Sequence, residues 1–422
     1  MKLLFIADGR SPTALNWIRH FVDTGHEVHL VSSYPCAPEL ALASLKLVPV
    51  AFSSLAGEFI EKGIRDKRKG GLIYRFVPLE TRTMARQWLG PLTLPSAAKR
   101  LWNVLIRLQP DLIHAIRIPY EGMLAALAMV RYGGRHPSGI KMKPSEPPFV
   151  LSVWGNDFTL HAPANPWMAH YTRLALRNAD LLHTDCYRDE RLAHFWGYAA
   201  DKPAMVLPGG GGVQMDTFYP PENFPEGIED GGRQPLKDFT VINPRGLRAY
   251  VRNDIFFQAI PLVLERQPQT RFLCPAMAGE PQVDRWLKEL GIAESVRLLP
   301  RQPRDKMAEL FRQAQVVVSP STHDGTPNTL LEAMACGCFP VVGDIEPLRE
   351  WIVNGVNGLL VDPNNPEDVA KAILRAIEQP SFRARAAAQN VRLIAERAEY
   401  SQVMAQAEGC YRKLILRPQT IG

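Results

Sequence analysis

Paired cysteines, long apolar runs and the glycine signatures of dinucleotide-binding folds are all scarce in this chain. Its six cysteines among 422 residues include no Cys-x-x-Cys unit. The nearest approach, Cys336-Gly337-Cys338, has no second pair or histidine cluster beside it, so no structural zinc is expected. Cysteines in apolar strand- or helix-like settings act as small hydrophobes, and the pattern reads as a reducing compartment. Outside the first strand the longest apolar run, Met123 to Val130, falls far short of the roughly 18 residues that span a bilayer. The opening apolar run is broken by Asp8 and Arg10, too early for a secretory leader. A soluble protein is expected, cytoplasmic or peripheral at the inner membrane face. No Asp-x-Asp metal motif ends a strand. No Gly-x-Gly-x-x-Gly follows the first strand either. The loop there is Asp8-Gly9-Arg10-Ser11-Pro12, with one glycine, which argues against an NAD-dependent oxidoreductase. The net charge of +6 is modest and calls for no nucleic acid.

What the chain has is length and alternation. At 422 residues it is too long for one ordinary core and suits two domains of about 200 residues each. Leu3 to Ala7 reads as a buried strand, followed by a helix with Leu15, Ile18 and Val22 on one face and Ala14, Trp17 and Phe21 beside it. Gly25 ends that helix before a strand through Val28, Leu30 and Val31. Further strands are expected at Leu47–Phe52, Leu72–Val77, Asp111–Ala115, Phe149–Trp154, Asp180–Thr184 and Ala204–Leu207. Between Tyr219 and Asp238 the composition turns to Pro, Gly and acid, as in a linker. Alternation resumes at Phe239–Ile242, Arg271–Cys274, Val296–Leu299, Val316–Ser319, Phe339–Val342 and Leu359–Val361. Asn365, Pro366, Glu367 and Asp368 form a helix start, and residues 381–415 read as helix. The fold class is therefore α/β, with parallel sheets covered by helices on both faces. The expected division is 1–218, a linker at 219–238, 239–399, and a terminal helix at 400–422.

Residues 319–342 carry the most chemistry. The apolar strand Val316, Val317, Val318 enters a small polar loop holding Asp324, Gly325 and Thr326. Pro327 and Asn328 then open a helix through Leu330, Leu331, Ala333 and Met334, which Gly337 stops before a second strand. A strand, a tight loop and a helix N-terminus present backbone N–H groups and a positive dipole end, which suit a diphosphate. Asp324 and Glu332 stand eight residues apart across the helix start. One carboxylate suits ribose hydroxyls and the other a sugar, so the block fits a nucleotide-sugar.

This block resembles the donor-binding motif of the retaining GT-B glycosyltransferases of family GT4, the group 1 glycosyl transferases. The family pattern is an acid, seven residues, then Glu, followed by Ala-Met-Ala-x-Gly and Pro-Val-Val. Asp324 stands where the family usually has Glu, with a reach about one methylene shorter. The resemblance implies two Rossmann-like domains facing a central cleft, with the acceptor bound by residues 1–218 and the donor by 239–399. It implies transfer of a hexosyl group from a nucleotide-sugar, UDP-sugar favoured, to an acceptor hydroxyl on a sugar, glycolipid or small molecule. The leaving diphosphate would assist deprotonation, and its charge would be met by arginines and a helix dipole. No cofactor beyond the co-substrate and no metal would be required.

By the same resemblance, Asp324, Arg245 and Asp157 form the catalytic set. Gly9, Arg245, Arg252, Gly325, Thr326, Asn328, Thr329 and Glu332 hold the donor. Arg245 lies in Asn243-Pro244-Arg245-Gly246-Leu247-Arg248, where its planar fork suits two phosphate oxygens. The family's second cation is a Lys, and Arg248 and Arg252 compete for that place. Ser152-Val153-Trp154-Gly155-Asn156-Asp157 resembles a His-Gly-x-Asp segment, with Trp154 in place of His. Pro208 to Phe218 resembles Pro-Asn-Gly-Val-Asp-x-x-x-Phe, with Gly211 and Gln214 where the family has Asn and Asp. His114 ends a Pro-Asp-x-x-His-like strand, where the family's His is often structural, and among His161, His183 and His323 only His323 is favoured, by standing next to Asp324. The basic stretch at 61–86, with Ile64, Ile73, Tyr74 and Phe76 interleaved, reads as a solvated loop or as a contact for an anionic bilayer. A catalytically silent GT-B subunit is the alternative, motivated by Asp324, Trp154 and the glycine run.

Overall fold

The computed structural model describes residues 1–53, 84, 86–132, 147–222, 224 and 239–416. These form two compact units, Met1–Gly211 with Met404–Gly422, and Gly212–Val403. Short runs rich in Val, Leu and Ile are buried on both faces, the condition that parallel strands under two helical layers impose.

In the first unit, seven described strands form one parallel sheet. They are β1 (Lys2–Ala7), β2 (Glu27–Ser32), β3 (Ser44–Leu47), β4 (Leu112–Ala115), β5 (Phe149–Val153), β6 (Leu181–Thr184) and β7 (Ala204–Val206). Their order is β3-β2-β1-β4-β5-β6-β7, so the chain reverses its direction of travel between β1 and β4. Ser11 caps the Pro12–Asp23 helix, its side chain accepting from the Ala14 N–H, and Trp17, Ile18 and Phe21 face the core. Each such side chain contributes about 1.5–3 kcal/mol by leaving water. The C-terminal part of the Tyr400–Leu416 helix, from Met404 on, belongs to this unit. Its Tyr411 stacks on Phe21 with ring centroids 5.0 Å apart.

In the second unit, six described strands form a parallel sheet in the order β10-β9-β8-β11-β12-β13. They are β8 (Thr240–Ile242), β9 (Arg271–Pro275), β10 (Val296–Leu299), β11 (Val316–Ser319), β12 (Phe339–Gly343) and β13 (Leu359–Val361). The reversal here falls between β8 and β11. Asn365 caps the Pro366–Glu378 helix, accepting from the Asp368 N–H.

One expected strand is displaced, and the break in the C-terminal helical stretch has a visible cause. The strand expected at Leu47–Phe52 lies earlier, at Ser44–Leu47. Pro49 cannot donate to a ladder, and Ala51 and Phe52 take positive φ values of 49° and 62°. The stretch read as helical over 381–415, with a terminal helix set from 400, is two helices, Pro380–Arg397 and Tyr400–Leu416. The break arises because the backbone around it pairs with Val213: its N–H donates to the Ala398 carbonyl at 2.7 Å, and its carbonyl accepts from Tyr400 at 2.9 Å. The strand expected at Leu72–Val77, most of the basic stretch and most of the linker lie outside the described residues. Among the described residues no helix is long and apolar enough to cross a membrane.

Candidate active site

In an open parallel sheet the crevice beyond the strands' carboxyl ends, where chain direction reverses, is where ligands bind. In the second unit that point lies between β8 and β11, and the loops leaving those two strands carry the expected donor residues. The loop after β8 brings Arg245 and the loop after β11 brings Asp324. Their side chains meet as an ion pair, Arg245 Nη2 to Asp324 Oδ2 at 2.7 Å, with 11% and 14% of each exposed.

Each loop is pinned from behind. The fully buried Asn243 accepts from the Arg245 N–H at 3.1 Å and donates to Asn253 Oδ1 at 3.0 Å. Asn253 in turn donates to the Gly246 carbonyl at 3.2 Å. On the other side the Thr322 N–H donates to the Tyr250 carbonyl at 2.9 Å. The Trp351 indole donates to the buried Thr326 hydroxyl at 3.0 Å. Thus Gly325 and Thr326 are held in a rigid turn, and the half-buried Asn328 and Thr329 open the Asn328–Ala335 helix. That helix's first N–H groups lack intrahelical partners, as at any helix start, and suit an anion.

Glu332 lies one turn into the helix, 14% exposed. Burial pushes its carboxyl up to about 7, against the opposing charge of Arg304. Arg252 spends its guanidinium on Asp254, at 2.8 Å, and on Asn364. Arg248 is exposed and donates to the Tyr250 hydroxyl at 2.9 Å. His323 lies beside Thr322, with Nδ1 3.0 Å from its hydroxyl.

In the first unit the reversal falls between β1 and β4. Gly9, after β1, donates its N–H to Ser32 Oγ at 3.1 Å. Asp157 has a fully buried side chain, pairing with Arg117 Nε at 2.8 Å and accepting from the Trp154 N–H at 3.2 Å. As placed, it organises the Trp154–Asp157 turn and the Arg117 fork, which also donates to Asn156 at 2.7 Å. Trp154 packs over Gly209, where an added Cβ would come within 2.8 Å of its indole nitrogen. The loop after β4 departs from ordinary backbone, with Arg117 at φ 93° and Tyr120 at φ 73°. Non-glycine residues held there cost on the order of 1–3 kcal/mol each, and such strain gathers at functional sites. The next residue, Glu121, is buried and hydrogen-bonded to Ser33 Oγ. Burial lifts its carboxyl to about 7. His161 is held down to about 4 by burial.

The sequence reading omitted Arg117, Glu121, Ser33 and Arg304. None belongs to a spaced motif, and only the sheet order brings the first three to one edge.

Two family models match in series: the Glycosyl transferase 4-like domain over residues 8–210 and Glycosyl transferases group 1 over residues 228–392. The chain belongs to the GT4-type glycosyltransferases. Curated relatives of this GT4-type chain include the D-inositol 3-phosphate glycosyltransferase of Thermomonospora curvata, 29% identical over 51% of this chain and 52% of that one. The Frankia alni protein of the same name is 35% identical over 47% and 51%. The chain thus spans about half the length of the curated relatives it matches. Among solved structures, sucrose-phosphate synthase from Thermosynechococcus elongatus has a TM-score of 0.71 at 15% identity, covering 98% of this chain and 99% of that one. Anabaena HepE in complex with UDP-glucose has a TM-score of 0.67 at 15% identity, covering 98% and 100%. At such identity these neighbours speak to the fold, which is GT-B: two Rossmann-like α/β domains.

Proposed function

We propose that this GT4-type chain is a retaining glycosyltransferase that moves a hexosyl group from a nucleotide-sugar, UDP-sugar favoured, to an acceptor hydroxyl. The observation that carries the reading is the Arg245–Asp324 pair at 2.7 Å, with Glu332 eight residues beyond Asp324 on the adjoining helix. A cation, a helix start and two carboxylates at one sheet reversal match a diphosphate between two hydroxyl-bearing sugars. HepE, which shares the fold, is seen with UDP-glucose, and this supports the uridine preference. The curated relatives' name places a phosphorylated polyol on their acceptor side, in keeping with an acceptor hydroxyl here.

In this mechanism the bond between the anomeric carbon and the β-phosphate oxygen breaks. The acceptor oxygen bonds to that carbon on the same face, and its proton passes to the leaving diphosphate. Arg245 and the Asn328–Ala335 helix start stabilise the charge that builds on the diphosphate. Asp324 holds both Arg245 and the donor sugar, and Glu332 receives the ribose hydroxyls. The protein's contribution is placement and preorganised charge, so no nucleophilic side chain is required. A panel of nucleotide-sugars screened by thermal shift tests the reading, because a ligand bound to the folded state raises the melting temperature. A UDP-sugar should give the largest rise, and its slow hydrolysis or transfer by the purified chain separates an enzyme from a silent subunit.

A further inference from the structure

Arg304 opens the Arg304–Gln313 helix behind Pro303, in a stretch with arginines at 297, 301, 304 and 312 and no spaced motif. Its guanidinium is gripped on two sides by one turn of the second unit. Nη1 donates to Gln214 Oε1 at 3.0 Å, and the carbon at the fork's centre lies 5.2 Å from the Phe218 ring centroid. Phe218 is fully buried, and its N–H donates to the Gln214 carbonyl at 2.9 Å, so both grips move as one piece. The other terminal nitrogen, Nη2, lies 3.5 Å from Glu332 Oε1.

That last contact is long and single. An arginine built only to neutralise a buried acid would close on it with two short parallel bonds. Arg304 is instead anchored elsewhere and touches Glu332 at one oxygen, which fixes the direction of the carboxylate without saturating it. Gln214 stands where the resembled segment carries Asp. An acid at 214 would set a second negative charge against Arg304, whereas the amide grips the fork without adding one.

We propose that Arg304, held by Gln214 and Phe218, is a positioning residue that aims the Glu332 carboxylate at the ribose hydroxyls of the donor. This rests on the nucleotide-sugar reading of the site. Among the described residues, the groups facing Glu332 are Arg304, from the Arg304–Gln313 helix, and Cys336, beyond the end of the Glu332 helix and itself facing Arg312. Because burial already pushes Glu332 up to about 7, ribose binding strengthens as pH rises across neutrality. Loss of Arg304 moves that rise to higher pH.

The test is calorimetric titration of the full-length chain. UDP, GDP and ADP are compared first, and the tightest is carried forward beside its 2′,3′-dideoxy form, which lacks the ribose hydroxyls. Arg304→Gln should weaken the ordinary nucleotide about tenfold near pH 7, as expected for a charge-assisted hydrogen bond. It should recover part of that loss near pH 8.5, where Glu332 ionises unaided, and the dideoxy form should bind wild type and variant alike. Arg304→Lys should fall between the two. Gln214→Asp, which leaves Arg304 in place, should reproduce the loss in smaller degree if Arg304→Gln folds poorly. Equal weakening of the ordinary and dideoxy nucleotides would overturn the proposal, since Arg304 would then act on the diphosphate or on folding. So would unchanged affinity in both variants. If the wild type binds none of the three nucleotides, the donor-site reading itself fails, and this proposal with it.

Discussion

Tyr411 places its hydroxyl 2.5 Å from Nδ1 of His114, a residue 297 positions earlier in the chain, in a space closed to solvent. The contact is one link of a hydrogen-bond chain in the first unit. The Trp17 indole donates to Tyr411 Oη at 3.1 Å, and His114 Nε2 lies 2.7 Å from Ser152 Oγ. Ser152 Oγ is 2.8 Å from His183 Nδ1, and His183 Nε2 is 3.0 Å from the Leu207 carbonyl. A carbonyl only accepts, so His183 carries its proton on Nε2, and the sense of every other link follows: Ser152 donates to His183, His114 to Ser152, and Tyr411 to His114. Both imidazoles are neutral in this arrangement.

Tyr411→Phe should therefore cost more than a surface hydroxyl would. It orphans Trp17 Nε1 and His114 Nδ1 in a buried space, each at a penalty of about 1–3 kcal/mol. Denaturant unfolding followed by tryptophan fluorescence checks this, and a loss within experimental error would mean that water replaces the hydroxyl.

Burial holds His114 well below 6.5, and His183 at about 4. A histidine depressed on folding takes up its proton on unfolding, so its contribution is full above about pH 6.5 and drains away as pH falls toward 4. Melting temperature should drop across that window. His183→Gln should flatten the drop, as a thermal scan at stepped pH would reveal.

Glu121 has the opposite sign. Its carboxyl rises to about 7 in the fold from an ordinary value near 4.5. The folded chain then holds the extra proton between those values, and stability falls as pH rises through them. Glu121→Gln keeps the hydrogen bond to Ser33 without the titration. Its stability relative to wild type should increase from about pH 4.5 to 7, and parallel pH curves for the two proteins would refute this.

Glu332→Ala should weaken donor binding by roughly 1.5–3 kcal/mol, the worth of hydrogen bonds to a charged acceptor. Affinity within twofold of wild type, measured by calorimetry, would remove Glu332 from the donor site.

Transfer should persist in excess EDTA, because Arg245 and the Asn328–Ala335 helix start supply positive potential to the diphosphate. Complete loss of product, restored by Mg²⁺, would show that a cation is needed.

The architecture was legible wherever a side-chain period or a local turn decides structure. Val316–Ser319 and Leu359–Val361 fall where their apolar runs indicate, and Asn365 caps the helix its sequence announces. Long-range pairing was not legible: Val213 takes the backbone groups that would have joined two helices at Ala398. Within the site, Arg245, Asp324 and Glu332 could be named because their spacing is local to two loops. Arg304 could not, because its meaning lies in Gln214 and Phe218, about ninety residues upstream. Glu121 was hidden for a similar reason, since only the reversal between β1 and β4 brings it to Ser33.

The two units are also unlike in how the chain supplies them. The second is one uninterrupted segment, Gly212–Val403, whereas the first is assembled from two, with Met404–Gly422 completing what Met1–Gly211 begins. On a ribosome the second unit has all its residues before the first does, although most of it is made later. The first unit must wait, with Trp17, Phe21 and His114 lacking Tyr411, until the last helix has been made. A chain stopped after Val403 would thus spare the later half and leave the earlier one open.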